Sequence, residues 1–533
     1  MNGVQLLLII VGGIAVSAFA HRKGMQPGLV VVVLAAGASF IPGVPRLELD
    51  SELILTIVVP PLLYSAARAA SASGFSQNLR PILTLGVTLV VLTTGVAGIV
   101  GSWLMPSIGL PAALLLGAVL APPDTTTTVS HGDEIGLTRR VQAILTGESL
   151  VNDATALTLF GLAAAAAGGE ETFLDNAFAL FGYTVVSGLA VGGVLCAIAL
   201  WLRPRLHSPV LETSLALLLP FTAFLLAEQI HASGILAVVV AAITFSVNTT
   251  LDPQHQYPGA YRTRLQEDAI WPVLDFLLET FVFAYIGLQL KFVIVDLSHA
   301  AAKPGLATTL IAAAVLLVTV IAFRLGAVWA LFAWWGLRRR GIQRRVANDP
   351  RFRARYERRI AARLKRRRLN QGAGEWRGPL GEPTQRESLI VGWTGMRGIL
   401  TLAAAAAIPH TLHNGEEFPG RDAIQAIALF VTLGTLLIQG TTIPALVRRL
   451  NIDTAADRRR ADALLERGRA IAESAVTRDG PPTRADFDAM RNAVVHGVFN
   501  GQLDDDTARI LVHDVDLREA AETHLERKEH QTS

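Results

Sequence analysis

The chain of 533 residues contains one cysteine, Cys196. A single thiol excludes an intramolecular disulfide and argues against a cysteine-ligated metal, so Cys196 is expected to pack as a small apolar group. Charge is scarce as well: Asp, Glu, Lys and Arg make up 17% of the chain, against about 25% in an ordinary soluble domain. Apolar residues reach 51% and the mean hydropathy is +0.43. Composition alone therefore places most of the chain in lipid.

A spanning helix needs about 20 mostly apolar residues, because backbone groups must satisfy one another where no water is available. Reading for such runs predicts an all-α polytopic membrane protein with about thirteen spans. They lie at 3–20, 27–42, 51–70, 81–105, 110–130, 140–166, 176–202, 209–229, 232–248, 270–292, 305–337, 388–409 and 422–449. In the first run the charges His21, Arg22 and Lys23 follow the apolar stretch instead of preceding it, so it reads as an uncleaved helix with its amino end outside. Cationic residues then fall on alternate loops. Arg22, Lys23, Arg68, Arg80, Arg139, Arg140, Arg203, Arg205, Arg262 and Arg264 mark the inside, with 17 more Lys or Arg between Leu337 and Glu387. Only Arg46, Lys291, Lys303 and Arg421 mark the outside. The asymmetry predicts a cytoplasmic carboxyl terminus.

Residues 1–450 thus form the transmembrane domain, interrupted by a basic linker at 338–387, and residues 451–533 form a charged cytoplasmic tail. Between two spans the linker reads as a topology determinant lying on anionic lipid headgroups, not as a nucleic-acid site. In the tail, Phe487, Met490 and Val494, then Leu511 and Val515, recur at helical spacing. They predict short amphipathic helices, in a regulatory module or a solvated tail.

The sixth span carries "TGESLVND". Entering from the cytoplasmic side near Val141, the helix brings Asp153 about 18 Å into a core about 30 Å thick, near the midplane. An ionised carboxylate at that depth costs at least about 2.5–3.5 kcal/mol on insertion, so it marks a functional site. Ser149 shares a face with Asp153, and Glu148 and Asn152 form a second i,i+4 pair beside it. The fifth span reads "LAPPDTTTT". Pro122 and Pro123 break the helix next to Asp124, and irregular backbone at membrane depth persists only where it is buried in protein or lines a cavity. Two arginines are equally deep: Arg324 in the eleventh span, and Arg397 between glycines in the twelfth. Each is expected to need a carboxylate partner, with Glu148 the candidate for Arg324. Broken helices fifth in both sets, spans one to six and eight to thirteen, suggest inverted six-helix repeats whose breaks cross near the midplane, a secondary-transporter design.

The segment "GESLVNDATAL" resembles the Asn-Asp signature of the monovalent cation/proton antiporter 1 family, the electroneutral sodium/proton exchangers. "VVPPLLYSAAR", "LAPPDTTTT", "ASGILAVVVAAI", "ETFVFAYIGLQL" and "GWTGMRG" follow in the family's order over about the first 450 residues. The resemblance implies that Asp153 alternately holds a cation and a proton, with Ser149 as a further ligand of the transported Na⁺. Asn152 orients or coordinates, and Glu148 pairs with Arg324. Asp124 and Arg397 match the charged residues of the two unwound helices. The family commonly has Thr-Asp where this chain has Pro123-Asp124; the Pro123 carbonyl, Thr125 or Thr126 then stands in for the lost hydroxyl. The resemblance also implies a homodimer in the inner membrane, with a core of spans four to six and eleven to thirteen moving against a dimer domain.

The function expected is Na⁺ (or Li⁺) for H⁺ exchange at a 1:1 ratio, since Asn152 is neutral where electrogenic relatives carry a second aspartate. Na⁺ and H⁺ are cargo, and no cofactor or nucleic acid is called for. A K⁺/H⁺ antiporter on the same scaffold is the alternative. A channel or an intramembrane aspartyl protease using Asp124 and Asp153 lacks further support in the sequence. His131, His207, His231, Glu228, Asp275 and Glu279 lie near span ends or in the dimer domain, where solvation or structural hydrogen bonding is the simpler role.

Overall fold

A computed structural model describes residues 3–23, 27–44, 46, 54–125, 132, 137–168, 177–252, 257, 259–298, 304–355, 358, 385–412, 415–450, 455–476 and 482–532. The first three helices are α1 (Gly3–Arg22), α2 (Pro27–Ala38) and α3 (Ile54–Ala69). Ser71 then caps the short α4 (Ala72–Gln77), accepting from Gly74 N at 3.0 Å. After it come α5 (Leu79–Leu104), α6 (Gly109–Leu120) and α7 (Arg139–Gly168). Next are α8 (Ala177–Leu206), α9 (Pro209–Gln229), α10 (Gly234–Leu251), α11 (Ala260–Ser298) and α12 (Leu306–Asn348). Two short helices, α13 (Gln385–Trp393) and α14 (Ile399–Ala406), precede α15 (Arg421–Leu450). The chain closes with α16 (Ala455–Ser474), α17 (Arg484–Phe499) and α18 (Asp505–Thr532).

Among the described residues eight helices are long and apolar enough to cross a membrane, and four shorter apolar helices accompany them. Strand structure there is confined to two isolated bridges. Hydropathy places many helices closely, α9 among them at 209–229. Two expected spans differ in kind. The run expected at 110–130 ends as a helix at Leu120, and the run expected at 388–409 is two pieces, α13 and α14, joined by unwound backbone. Two others are longer than hydropathy indicates. The span expected from 270 begins at Ala260, and the one expected to end at 337 continues helically to Asn348, because the amphipathic and basic flanks are themselves good helix formers.

The helices sort into two halves. One contains α5, α6 and α7 packed with α12 to α15; the other contains α1, α2, α3 and α8 to α11. In the first, α5 and α6 meet along small buried residues, Ala97 and Gly98 against Ala112 and Ala113, which let the backbones approach. Trp103, Leu8 and Val186 point outward with more than half their surface exposed; in water such a shell would be an aggregation hazard, and in lipid it is the solvated surface. α11 joins the halves, packing on α2 on one side and on α14 and α15 on the other.

Helices α16, α17 and α18 build a separate core from Phe487, Met490, Val494, Leu511 and Val515, and Leu251 at the end of α10 belongs to the same cluster. The apolar periodicity therefore produces longer helices than the short ones expected. Truncating Phe487→Ala in the full chain should cost the three-helix unit about 3–5 kcal/mol. Hydrogen exchange should then accelerate through α16 to α18 and stay unchanged in α5 to α7; equal acceleration everywhere would contradict a separate core.

Candidate functional site

Two unwound stretches cross at the centre of the first half. The first runs from Ala121 to Thr125 after α6; Pro122 and Pro123 supply no N–H, so the helix cannot continue its ladder there. The second runs from Thr394 to Gly398, between α13 and α14. They meet in an isolated antiparallel bridge, where Asp124 N donates to Met396 O at 2.6 Å. A Cβ on Gly398 would collide with the Asp124 carboxylate, so the crossing requires glycine at that position. Gly398 immediately precedes α14, which places Asp124 near the positive end of that half-helix.

Breaking helices inside a membrane strands carbonyl oxygens, and side chains of the first half answer them. Arg397 is 1% exposed. Its Nε donates to Leu120 O, the last residue of α6, at 2.8 Å, and its Nη1 donates to Gly395 O. Its backbone N donates to Thr435 Oγ1 of α15 at 2.9 Å. Asn152 Nδ2 donates to Pro123 O at 2.9 Å, and Thr125 Oγ1 donates to Leu145 O at 3.0 Å. This corrects the expectation of a carboxylate partner for every deep arginine. For Arg397 the hydrogen-bonded partners are backbone carbonyls, because a broken helix end presents both free acceptors and a negative dipole.

Arg324 on α12 does meet a carboxylate. Its Nη1 lies 2.6 Å from Glu148 Oε1 of α7, with both side chains sealed, and its Nη2 donates to Val391 O of α13 at 3.1 Å. A different set lies beside this pair. Ser149, Asp153 and Asp124 are only half-buried, whereas Glu148, Asn152 and Thr125 are fully buried. Ser149 and Asp153 share one face of α7, a turn apart. The site thus separates a closed ion pair from a group of partly buried oxygen-bearing side chains. Asn152 Oδ1 is buried with no partner among the described residues, which leaves an additional acceptor next to Asp153.

Other sequence-derived candidates fall elsewhere. Thr126 and His131 lie outside the described residues. His207 and His231 occupy exposed left-handed turns at helix ends, with φ of 51° and 55°. Glu228 is exposed and accepts Gly234 N at 3.2 Å, at the start of α10. Asp275 and Glu279, expected near a span end, lie inside α11 because that helix begins at Ala260; Asp275 accepts from the Ser65 hydroxyl of α3. Sequence reasoning missed Thr435, which anchors the second break. Its signal is a row of buried polar residues, Thr432, Thr435 and Gln439, at helical spacing along an apolar span.

Crossed discontinuous helices beside half-open carboxylates, with equivalent breaks in two three-span sets, define an ion-coupled secondary transporter. Residues 6–449 match the transmembrane sodium/hydrogen exchanger family, and the chain belongs to it. An uncharacterized Na⁺/H⁺ exchanger of Mycobacterium tuberculosis is 30% identical over 458 residues, 84% of this chain and 74% of the relative. The sodium, potassium, lithium and rubidium/H⁺ antiporter of Bacillus subtilis is 27% identical, over 84% of this chain and 62% of its own length. The fold is also that of the sodium proton antiporter MjNhaP1 of Methanocaldococcus jannaschii, with a TM-score of 0.56, 16% identity, and 84% and 97% of the two chains covered.

Replacing Arg324 by Ala strands Glu148 as an uncompensated buried charge and should destabilise the protein by about 3–5 kcal/mol. A Glu148→Gln/Arg324→Gln double variant should recover most of that loss in thermal unfolding of the purified protein. A single variant as stable as wild type would show that the pair carries no such constraint.

Proposed function

We propose that this protein exchanges Na⁺ or Li⁺ for H⁺ across the cell membrane, one for one, with both substrates competing for Asp153. The observation that carries the reading is the contrast within one helix of α7: Glu148 is sealed against Arg324, while Asp153 and Ser149 are half-open. Of the charged side chains around the break, Glu148, Asp124 and Asp153 stand against Arg324 and Arg397, and Glu148 is paired with Arg324, so the set carries one negative charge in excess. At that depth one charge must be neutralised, and one proton or one monovalent cation suffices. The exchange then moves no net charge.

The same geometry supports roles for the neighbours. Ser149 Oγ, the Asn152 amide oxygen and the Asp124 carboxylate are hard oxygen ligands suited to a small alkali cation. The Pro123 carbonyl retains a second lone pair after accepting from Asn152, and the Thr125 hydroxyl retains acceptor capacity after donating to Leu145 O. Arg397 is a positioning residue that holds both unwound stretches in register. Alternating access follows from rocking the half that carries α5 to α7 and α12 to α15 against the other. We further infer a homodimer formed through the second half, a cytoplasmic carboxyl terminus and an external amino terminus, consistent with the distribution of Lys and Arg over the loops. Na⁺ and H⁺ are substrates, with no resident cofactor. K⁺/H⁺ exchange on the same residues is the second reading, favoured by the name of the Bacillus subtilis relative, which includes potassium and rubidium.

Purified protein in liposomes holding a pH-sensitive dye should dissipate an imposed proton gradient on addition of Na⁺ or Li⁺, at a rate independent of clamped voltage. Asp153→Asn should reduce that rate to the level of empty liposomes. Recovery with K⁺ at a comparable rate selects the second reading, and full activity in Asp153→Asn would sink the assigned site.

A further inference from the structure

α11 carries two carboxylates that the site described above does not use. Asp275 accepts from the Ser65 hydroxyl of α3 through one oxygen, and its Oδ1 is buried with no partner among the described residues. Glu279, one turn further on, is partly buried and has no hydrogen-bond or ion-pair partner among the described residues. The cation of α3, Arg68, is held by Asp268 at 2.9 Å, nearer the inner end of α11. Acids in the middle of a spanning helix are as costly there as Asp153 is on α7, and mark function in the same way.

Helical register shows which way they face. Asp275, Glu279, Ile286 and Val293 follow at spacings of four, seven and seven, so they lie along one side of α11. Ile286 and Val293 line a cavity against Leu402 and Ala405 of α14 and Leu429 of α15, in the other half. The two acids therefore continue, toward the inner end, the side of α11 that meets the half carrying Asp153. Arg262 and Arg264 mark the inner end of α11 and Arg421 the outer loop beyond α14, so both helices run outward. Going back seven residues from Ile286 descends about 10 Å. The same descent from Leu402 and Ala405 passes the start of α14 at Ile399 and reaches the break at Thr394 to Gly398. Glu279 thus stands level with the crossing, on the opposite wall. In keeping with that placement, the charged groups that act on it are Asp124, in the crossing, and Asp275. The other elements packed on this part of α11 add none: α2 and α14 are uncharged, and α1 meets Thr280 at Gly13, well before its own His21 and Arg22.

We propose that Glu279 is the stationary end of a cytoplasmic route to the site: with Asp275 it draws a monovalent cation along α11 and hands it across the interface to Asp124 and Asp153. The inference rests on the exchange reading above. Carboxylates facing one another from low-dielectric walls concentrate cations between them. A cation shared by acids of both halves is held best in the state that brings the site beside Glu279, and is released from Glu279 when the site turns away, because α11 stays with the other half. The role is therefore sided. A cation arriving from outside meets Ile286 and Val293 on the same side of α11 instead of acids.

The test compares everted and right-side-out membrane vesicles holding the full chain, so that Na⁺ reaches either the cytoplasmic or the outer face. Glu279→Gln should raise KM for Na⁺ at the cytoplasmic face by about tenfold, with a much smaller change in maximal rate and no change in KM at the outer face. Glu279→Asp, which keeps the charge, should recover most of that loss. In a Glu279→Cys variant, a sulfonate-bearing thiol reagent applied at the cytoplasmic face should lower KM again and an ammonium-bearing one should not; the native Cys196 is buried. Equal changes of KM at both faces, or a fall in maximal rate with KM unmoved, would overturn the route. So would labelling of the Glu279→Cys variant from the outer face alone. A wild type that moves no cation would overturn the exchange reading instead, and the face from which the Glu279→Cys variant is labelled then decides the route by itself.

Discussion

A helix interrupted inside a membrane leaves carbonyl oxygens with no water to bond, and the arrangement of this protein depends on how those oxygens are satisfied. Arg397 stands on one unwound stretch and bonds the carbonyl end of the helix leading to the other. Asn152 closes a second stranded oxygen at Pro123, and Thr125 ties the first stretch to α7. With these bonds made, two stretches of irregular backbone are held against each other in a single bridge. Without them the crossing would carry several uncompensated dipoles at once, each costing several kcal/mol in hydrocarbon. The residues that make the break tolerable also fix the geometry around Asp124 and Asp153.

That frame lets one helix hold two carboxylates with different fates. Glu148 is buried and bonded to Arg324, which in turn bonds the end of α13; the pair knits α7, α12 and α13 together. A buried pair of this kind is weak evidence of net stabilisation, because desolvation offsets most of the Coulomb gain, but it strongly opposes any rearrangement that separates its members. Five residues further on, Asp153 is only partly buried.

One long helix connects the two halves and the carboxyl-terminal unit. α11 packs on α2 in one half and on α14 and α15 in the other, and its first turns also carry Tyr261 and Arg264, which receive the carboxyl-terminal unit. The contact between the halves and the docked tail therefore share one long helix. The tail and the membrane part have separate apolar cores, with Leu251 of α10 contributing to that of the tail.

Much of this was legible in the residues. Hydropathy is a local, one-dimensional property, so the sequence by itself determined the all-helical membrane class, the position of α9 and the apolar faces of α17 and α18. It also exposed the helix break at Pro122-Pro123 and the improbable acids Glu148 and Asp153. The ends of α11 and α12 were less legible, because charged residues continue a helix as readily outside lipid as apolar ones do inside it. Only the tertiary structure decided that Arg397 is satisfied by carbonyls, that Thr435 anchors the second break, and that Asp516 seeks Arg264 across 252 positions of sequence. A free carbonyl exists only after a helix has broken, and an ion pair between distant elements leaves no periodic trace in either; both are properties of packing, which the local pattern of residues does not encode.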